Sequence, residues 1–285
     1  MFLLYLETLA HKSYFVVCKR KQYELPMLKE RSGDPKRRTA PIITGVQIRG
    51  SMTEGTRLNK YLSESGFASR RAADRLVEEG RVTINGRTAV LGDRVLEGDV
   101  VCVDGKTVSG CSREVILAFN KPRGITCTAD PEVPDNIISF IGYPERIYSV
   151  GRLDRDSEGL ILMTNNGELA NQVMKSRGEH EKEYVVTVDR KVTEQFVRSM
   201  SSGVPILGRT TKECFVEQTG PKEFRIILRQ GLNRQIRRMC GHFGYTVVRL
   251  RRVRVMNIEL GDLPEGKYRD LTAEERTVLF RELGL

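Results

Sequence analysis

The 285-residue sequence is short of the side chains that build metal and redox sites. It has three His, and its six Cys form no C-x-x-C pair and no ligand-like spacing. That argues against a zinc site and makes a reducing cytoplasm the expected location. A long apolar run is also missing. The N-terminus, "MFLLYLETLAHKSYFVVCKRK", starts apolar, but no basic region precedes the apolar part and Glu7, His11 and Lys12 interrupt it. It is neither a convincing signal peptide nor long enough to span a bilayer, so no membrane partner is expected. The length suits about one to three domains, and 39% hydrophobic residues are enough for packed cores.

Acidic charge is scarce in two places. Residues 1–51 hold ten basic and four acidic residues, whereas residues 52–112 hold nine of each and residues 113–285 hold 28 and 24. Within the last segment, residues 224–258 contain nine Arg and no Asp, Glu or Lys. The forked guanidinium fits phosphate oxygens, so this block points to a polyanion. Residues 28–56 are rich in Gly, Pro and charge and show no helical or strand period. Regular patterning begins just after Met52. The expectation is therefore that residues 1–51 are disordered or a non-native upstream extension, with translation starting at Met52. The competing expectation is a basic arm that adds non-specific affinity for a polyanion.

Residues 52–105 read as a small module. Leu58, Tyr61, Leu62 and Ser65 fall at helical spacing before Gly66, and a second helix runs from the cap Ser69 to Gly80. Short strands follow about an Asn85-Gly86 turn and in "GDVVCVDGK". Arg70 and Arg71 open the second helix, where the macrodipole disfavours cations, so an anion should face them. Residues 106–112 read as a linker. Residues 113–285 then alternate longer strands with a few helices, which makes the fold class α+β with a mixed, mainly antiparallel sheet. Strands are expected at 114–119, 159–164, 182–188, 213–218, 223–229 and 246–259, and helices near 166–176, 193–200 and 233–243.

"GRLDRDSEGL" sets Asp154, Asp156 and Glu158 at alternate positions. As a calcium loop it fails at the twelfth position, which is Asn165 where a bidentate Glu is required, and an apolar strand follows instead of a helix. No metal is expected. Solvated turn residues would account for the composition but not for the triplet Arg152-Leu153-Asp154.

Five segments carry a resemblance. "RLNKYLSESGFASRRAADRLVEEGRVTINGR" resembles an S4-type RNA-binding domain. "GRLDRDSEGLILMTNNGEL", "EKEYVVTV" and "GLNRQIRRMCGHFG" resemble, in order, the three motifs of RNA pseudouridine synthases, and "NKPRG" at 120–124 is typical of their S4-bearing branch. The likeness spans about residues 56–272. It implies that Asp154 is the essential carboxylate, that Tyr184 lies against the target base and that Arg237 pairs with Asp154. Asp156 and Glu158 then fall outside the catalytic role.

"VPILG" and "RVRVMNI" are similar to the branch acting on large-subunit RNA. The expected partner is therefore 23S ribosomal RNA, with 16S RNA, a tRNA or a non-catalytic assembly role as alternatives. The reaction needs no redox cofactor, and nothing in the sequence demands more than a monomer. The expected RNA contacts are Arg57, Lys60, Arg70, Arg71, Arg75, Lys121, Arg152, Arg234, Arg238, Arg251 and Arg252. A reacting carboxylate must be ionised, which a nearby guanidinium favours, and a stacked base must be extruded to be reached. Sequence leaves open whether the carboxylate attacks the sugar or abstracts a sugar proton.

Overall fold

The computed structural model describes residues 55–109, 113–175 and 180–285. The expectations for residues 1–51 lie outside the described residues. No helix among the described residues is long and apolar enough to cross a membrane.

The first module forms as its local signals require. Helix Leu58–Glu64 buries Leu58 and Leu62, and Gly66, at φ 79°, turns the chain. Ser69 caps helix Arg70–Glu78 by accepting the Ala72 N–H, and Ala73 and Val77 face inward. These side chains share a core with an antiparallel sheet ordered Arg87–Thr88, Val82–Ile84, Val101–Val103 and Lys106–Thr107. The module runs past the expected boundary at residue 105. Lys106–Thr107 is paired into the sheet, Val108 is buried in the same core, and Tyr61 Oη donates to Val108 O at 3.1 Å. Strand pairing here satisfies backbone groups that a linker would leave to water.

The larger domain is built on a nine-stranded sheet. Its main path runs Phe215–Gly220, Glu223–Leu228, Lys182–Val188, Val247–Val255, Glu158–Thr164, Ile116–Lys121 and Tyr268–Asp270. Strands Ile116–Lys121 and Glu158–Thr164 are buried along their whole length, as the unbroken apolar run "GLILMT" demands of a strand covered on both faces. One face packs Ile116, Ala118, Leu160 and Leu162 against helices Gly167–Met174 and Ala273–Leu283. On the other, Leu117, Phe119, Ile161 and Met163 meet Ile125, Ile137, Ile147 and Leu153. A further core joins Val186, Phe224 and Ile226 to helices Glu194–Ser201 and Gln235–His242.

The two halves of the sheet meet at a parallel pairing, Arg251↔Glu158 and Arg252↔Gly159, while the other strand pairs of this sheet are antiparallel. The strand expected over 246–259 is not continuous. It turns back at Met256, whose φ is 52°, so that Ile258–Glu259 pairs with Arg254 and Val255. A turn of this kind carries positive φ, which an apolar sequence such as "VMNIE" does not announce.

Candidate active site

The loop between strands Tyr148–Val150 and Glu158–Thr164 is pinned from below. Leu153 is buried and its N–H donates to Cys127 Sγ at 3.4 Å. The Ser157 N–H closes a turn on Asp154 O at 3.1 Å. Arg155 Nε donates to Gly124 O at 2.9 Å, the Gly124 N–H donates back to Arg155 O at 2.8 Å, and Arg155 pairs with Asp135 at 2.7 Å. With Leu153 facing the core and Arg155 tied sideways, Asp154 is left half-exposed beside a cavity of about 560 Å³.

That cavity is lined by Arg152, Asp154, Lys182, Tyr184, Arg234 and Arg252, with apolar floor residues Leu162, Val173, Leu250 and Val255. Tyr184 sits on strand Lys182–Val188 opposite Arg252 and packs against the cores on both sides of the sheet junction. Lys182 points to the same side by strand alternation and donates to His180 O at 3.2 Å, and burial pulls its ammonium below the usual lysine range.

The carboxylates after Gly151 engage arginines. Arg234 forms a forked pair with Asp156, at 3.1 and 3.0 Å, and comes within 3.5 Å of Asp154. The hydrogen bonds from Arg234 hold the Asp156 carboxyl below the ordinary range. Glu158 accepts Arg249 Nε at 2.7 Å. Among the described residues no group of three or more His, Cys, Asp or Glu gathers as a metal site.

Comparison with known proteins gives the family. Residues 115–242 match the family model for RNA pseudouridylate synthase, and residues 56–101 match the S4 domain. The chain is 52% identical over 227 residues to the dual-specificity RNA pseudouridine synthase RluF of Escherichia coli K12, covering 79% of this chain and 78% of the relative. It is 40% identical over 243 residues to the ribosomal large subunit pseudouridine synthase B of Vibrio cholerae, covering 80% and 74%. A crystal structure of a pseudouridylate synthase superposes with a TM-score of 0.59 at 28% identity, covering 79% of this chain and all of that one. The chain belongs to the RNA pseudouridine synthase family.

The guanidinium that the structure sets within ion-pair distance of Asp154 is Arg234, not the Arg237 that the motif suggests. Arg237 is only 13% exposed, and it donates to Asp156 O at 2.9 Å, Ser157 Oγ at 3.4 Å and Val247 O at 3.2 Å. Its Nε lies 3.3 Å from the Asp156 carboxylate but off line for a hydrogen bond. Arg237 therefore braces the loop backbone, and Arg234 is the guanidinium within ion-pair reach of Asp154. The cause is one residue of geometry. Arg234 sits in the left-handed region at φ 50°, which turns its side chain to the loop before the helix begins.

One expected RNA contact is corrected, and two others stand in cavity walls. Lys121 is wholly buried, with Nζ donating to Pro122 O at 2.7 Å and Ile125 O at 2.8 Å, and desolvation lowers its pKa. It ties the turn that holds Arg155 and cannot reach a phosphate. Arg252 is buried in the cavity wall with Nε on Leu160 O at 2.6 Å. Arg251 lines a separate cavity with Arg249, Glu158 and Asn120.

The other expected contacts are solvent-facing. Arg57, Arg70, Arg71, Arg75, Arg152 and Arg238 are exposed, and Lys60 is half-exposed 3.6 Å from Glu64. The arginine block itself is largely neutralised. Arg225, Arg229, Arg234, Arg237, Arg249 and Arg254 pair with carboxylates of residues 154–158, Glu181, Glu183 and Glu217.

Sequence reasoning missed Lys182 as a cavity-lining residue, and it set Asp156 outside the catalytic role without its pairing to Arg234. Lys182 was accessible, because it stands two residues before Tyr184 on a strand and so shares its face.

The burial of Lys121 sets a prediction. Lys121→Met keeps the length of the side chain but leaves two carbonyls without a donor, and should lower stability by about 1–3 kcal/mol in thermal unfolding. RNA affinity in filter binding should stay within about twofold, because no phosphate contact is lost. A loss of affinity with unchanged stability would return Lys121 to the RNA surface.

Proposed function

We propose that this synthase converts a uridine of 23S ribosomal RNA to pseudouridine, as a monomer in the cytoplasm, with Asp154 as the reacting carboxylate. The observation that carries the reading is that Asp154, Tyr184 and Arg234 line one cavity although they come from three separate motifs. The N1–C1′ bond breaks, the uracil turns, and a C5–C1′ bond forms. C5 loses a proton and N1 gains one, so the product is an isomer and no electrons are exchanged.

The target base must leave its stack, and Tyr184 offers an aromatic face to receive it. Lys182 and Arg152 line the same cavity and supply positive charge towards the RNA. Arg237 holds the loop that presents Asp154. The S4 module, over residues 52–105 with Lys106–Thr107 completing its sheet, supplies a second anchor. Between the module and the larger domain lies a cavity of about 520 Å³ lined by Lys60, Arg70, Gln172, Met174 and Lys175. Met174 and Lys175 also line the Asp154 cavity, so basic side chains continue from one to the other. Two linked sites favour a folded RNA that spans both over a short oligonucleotide.

The test is pseudouridine mapping across all RNA from the source cells with and without the gene. Loss of one 23S signal supports the reading. Loss confined to 16S RNA or to a tRNA replaces the substrate, and loss of none leaves an RNA-binding assembly protein.

A further inference from the structure

The family motif assigns chemistry to one carboxylate, Asp154, which lines the cavity, yet a second, Asp156, stands behind it on the cavity-lining Arg234. Asp156 is the better bonded. It accepts both terminal nitrogens of Arg234 at 3.0 and 3.1 Å, whereas Asp154 stands 3.5 Å from the same guanidinium. From the other side, Arg237 donates to the Asp156 backbone carbonyl at 2.9 Å and sets its Nε 3.3 Å from the Asp156 carboxylate. Arg234 is also held in a left-handed conformation at φ 50°, which a side chain adopts only when its surroundings impose it. It opens helix Gln235–His242, whose first turn has no acidic residue, so the positive helix end does not retain it. The anion that fixes Arg234 is Asp156, 78 residues earlier in the chain.

We infer that Asp156 is a positioning residue that holds the Arg234 guanidinium between the two carboxylates. This rests on Asp154 being the reacting group. A forked guanidinium that met Asp154 alone would occupy both of its oxygens, because Arg–carboxylate pairs prefer the bidentate form. Shared with Asp156, the same cation stays within reach of Asp154 while the Asp154 oxygens remain free for the ribose and the base. Arg237 fixes the second carboxylate at its backbone and side chain, which keeps the division of the guanidinium constant.

Asp156→Asn keeps the shape of the side chain and removes the anion. The single-turnover rate on a saturating rRNA stem-loop should fall about tenfold or more, because small misplacements of a site group cost that much. The dissociation constant should change by no more than about threefold, since phosphate contacts dominate affinity. Arg234→Gln alone should also slow the rate, and the double variant Asp156→Asn/Arg234→Gln should be no slower than Arg234→Gln, because Asp156 acts through Arg234. A rate for Asp156→Asn within twofold of the parent overturns the inference. So do multiplicative losses in the double variant, which mean that Asp156 merely supports the loop. If Asp156→Asn proves unstable in a thermal melt, Arg234→Gln carries the test, and an unchanged rate there overturns the inference equally. Turnover retained by Asp154→Asn removes the underlying assignment instead, whatever Asp156 does.

Discussion

Replacing Asp154 by Asn is expected to reduce pseudouridine formation by a factor on the order of a thousand or more while RNA affinity stays within about threefold. The substitution keeps size and hydrogen-bonding shape but removes the charge and the proton-accepting or nucleophilic oxygen. The fold does not depend on it. Asp154 is half-exposed, its backbone carbonyl closes the turn with Ser157, and the loop is tied through Leu153, Arg155 and Asp156. Arg70, Arg71 and Arg238 remain exposed and unaltered in this variant, so phosphate contacts of that kind are expected to persist. Tritium release from RNA labelled at uracil C5, measured beside filter binding and thermal melts, separates the three quantities. Multiple turnover at a few per cent of the parent rate would exclude Asp154 as the reacting group.

The parts of this molecule that were legible in the sequence are those written in short windows. "EKEYVVTV" alternates as a strand, and strand Lys182–Val188 forms over the expected range. Ser69 and Gly66 mark helix ends through capping and positive φ, and the structure uses both. The C-terminal helix Ala273–Leu283 was equally available. Thr272 and Glu275 form a reciprocal capping box, the pattern S/T-x-x-E that precedes a helix, and it went unread.

What the sequence hid is burial and pairing across distance. Lys121 carries the same letter as a surface lysine, and only the packing of Leu117, Phe119 and Ile125 around its strand shows that it is inside. The arginine block is free of acids along the chain, yet Glu181, Glu183, Glu217 and residues 154–158 reach it through strand neighbours. Charge counted in a window therefore overstated the polyanion surface. Arg234 and Arg237 stand three residues apart in one motif, and no local pattern shows that Arg234 adopts a left-handed backbone and lies nearer Asp154.

Gly159→Ala is expected to be the most damaging single substitution outside the reacting groups. Gly159 lies in the strand immediately after the Asp154 loop, at φ 100°, and pairs in parallel with Arg252. A Cβ there would stand 2.3 Å from Arg252 O and 2.8 Å from Arg252 N, distances that only a shift of the backbone can relieve. The strained φ costs about 1–2 kcal/mol by itself. Forcing the strands apart adds the loss of ladder bonds and core packing, for a total of about 3–5 kcal/mol. For a chain of this size that is a fall of roughly 10 °C in melting temperature.

The displacement would fall on the parallel junction that sets Arg252 opposite Tyr184 and the Asp154 loop against its cavity, so activity should fall further than stability alone explains. Gly208→Ala is the control. Its φ is 72°, but open space surrounds its missing Cβ, so strain acts without a clash and the melting temperature should drop by only about 2–4 °C. Equal melting temperatures for the two variants, with Gly159→Ala fully active, would show that the parallel junction tolerates a side chain and that the glycine is there for its backbone angle alone.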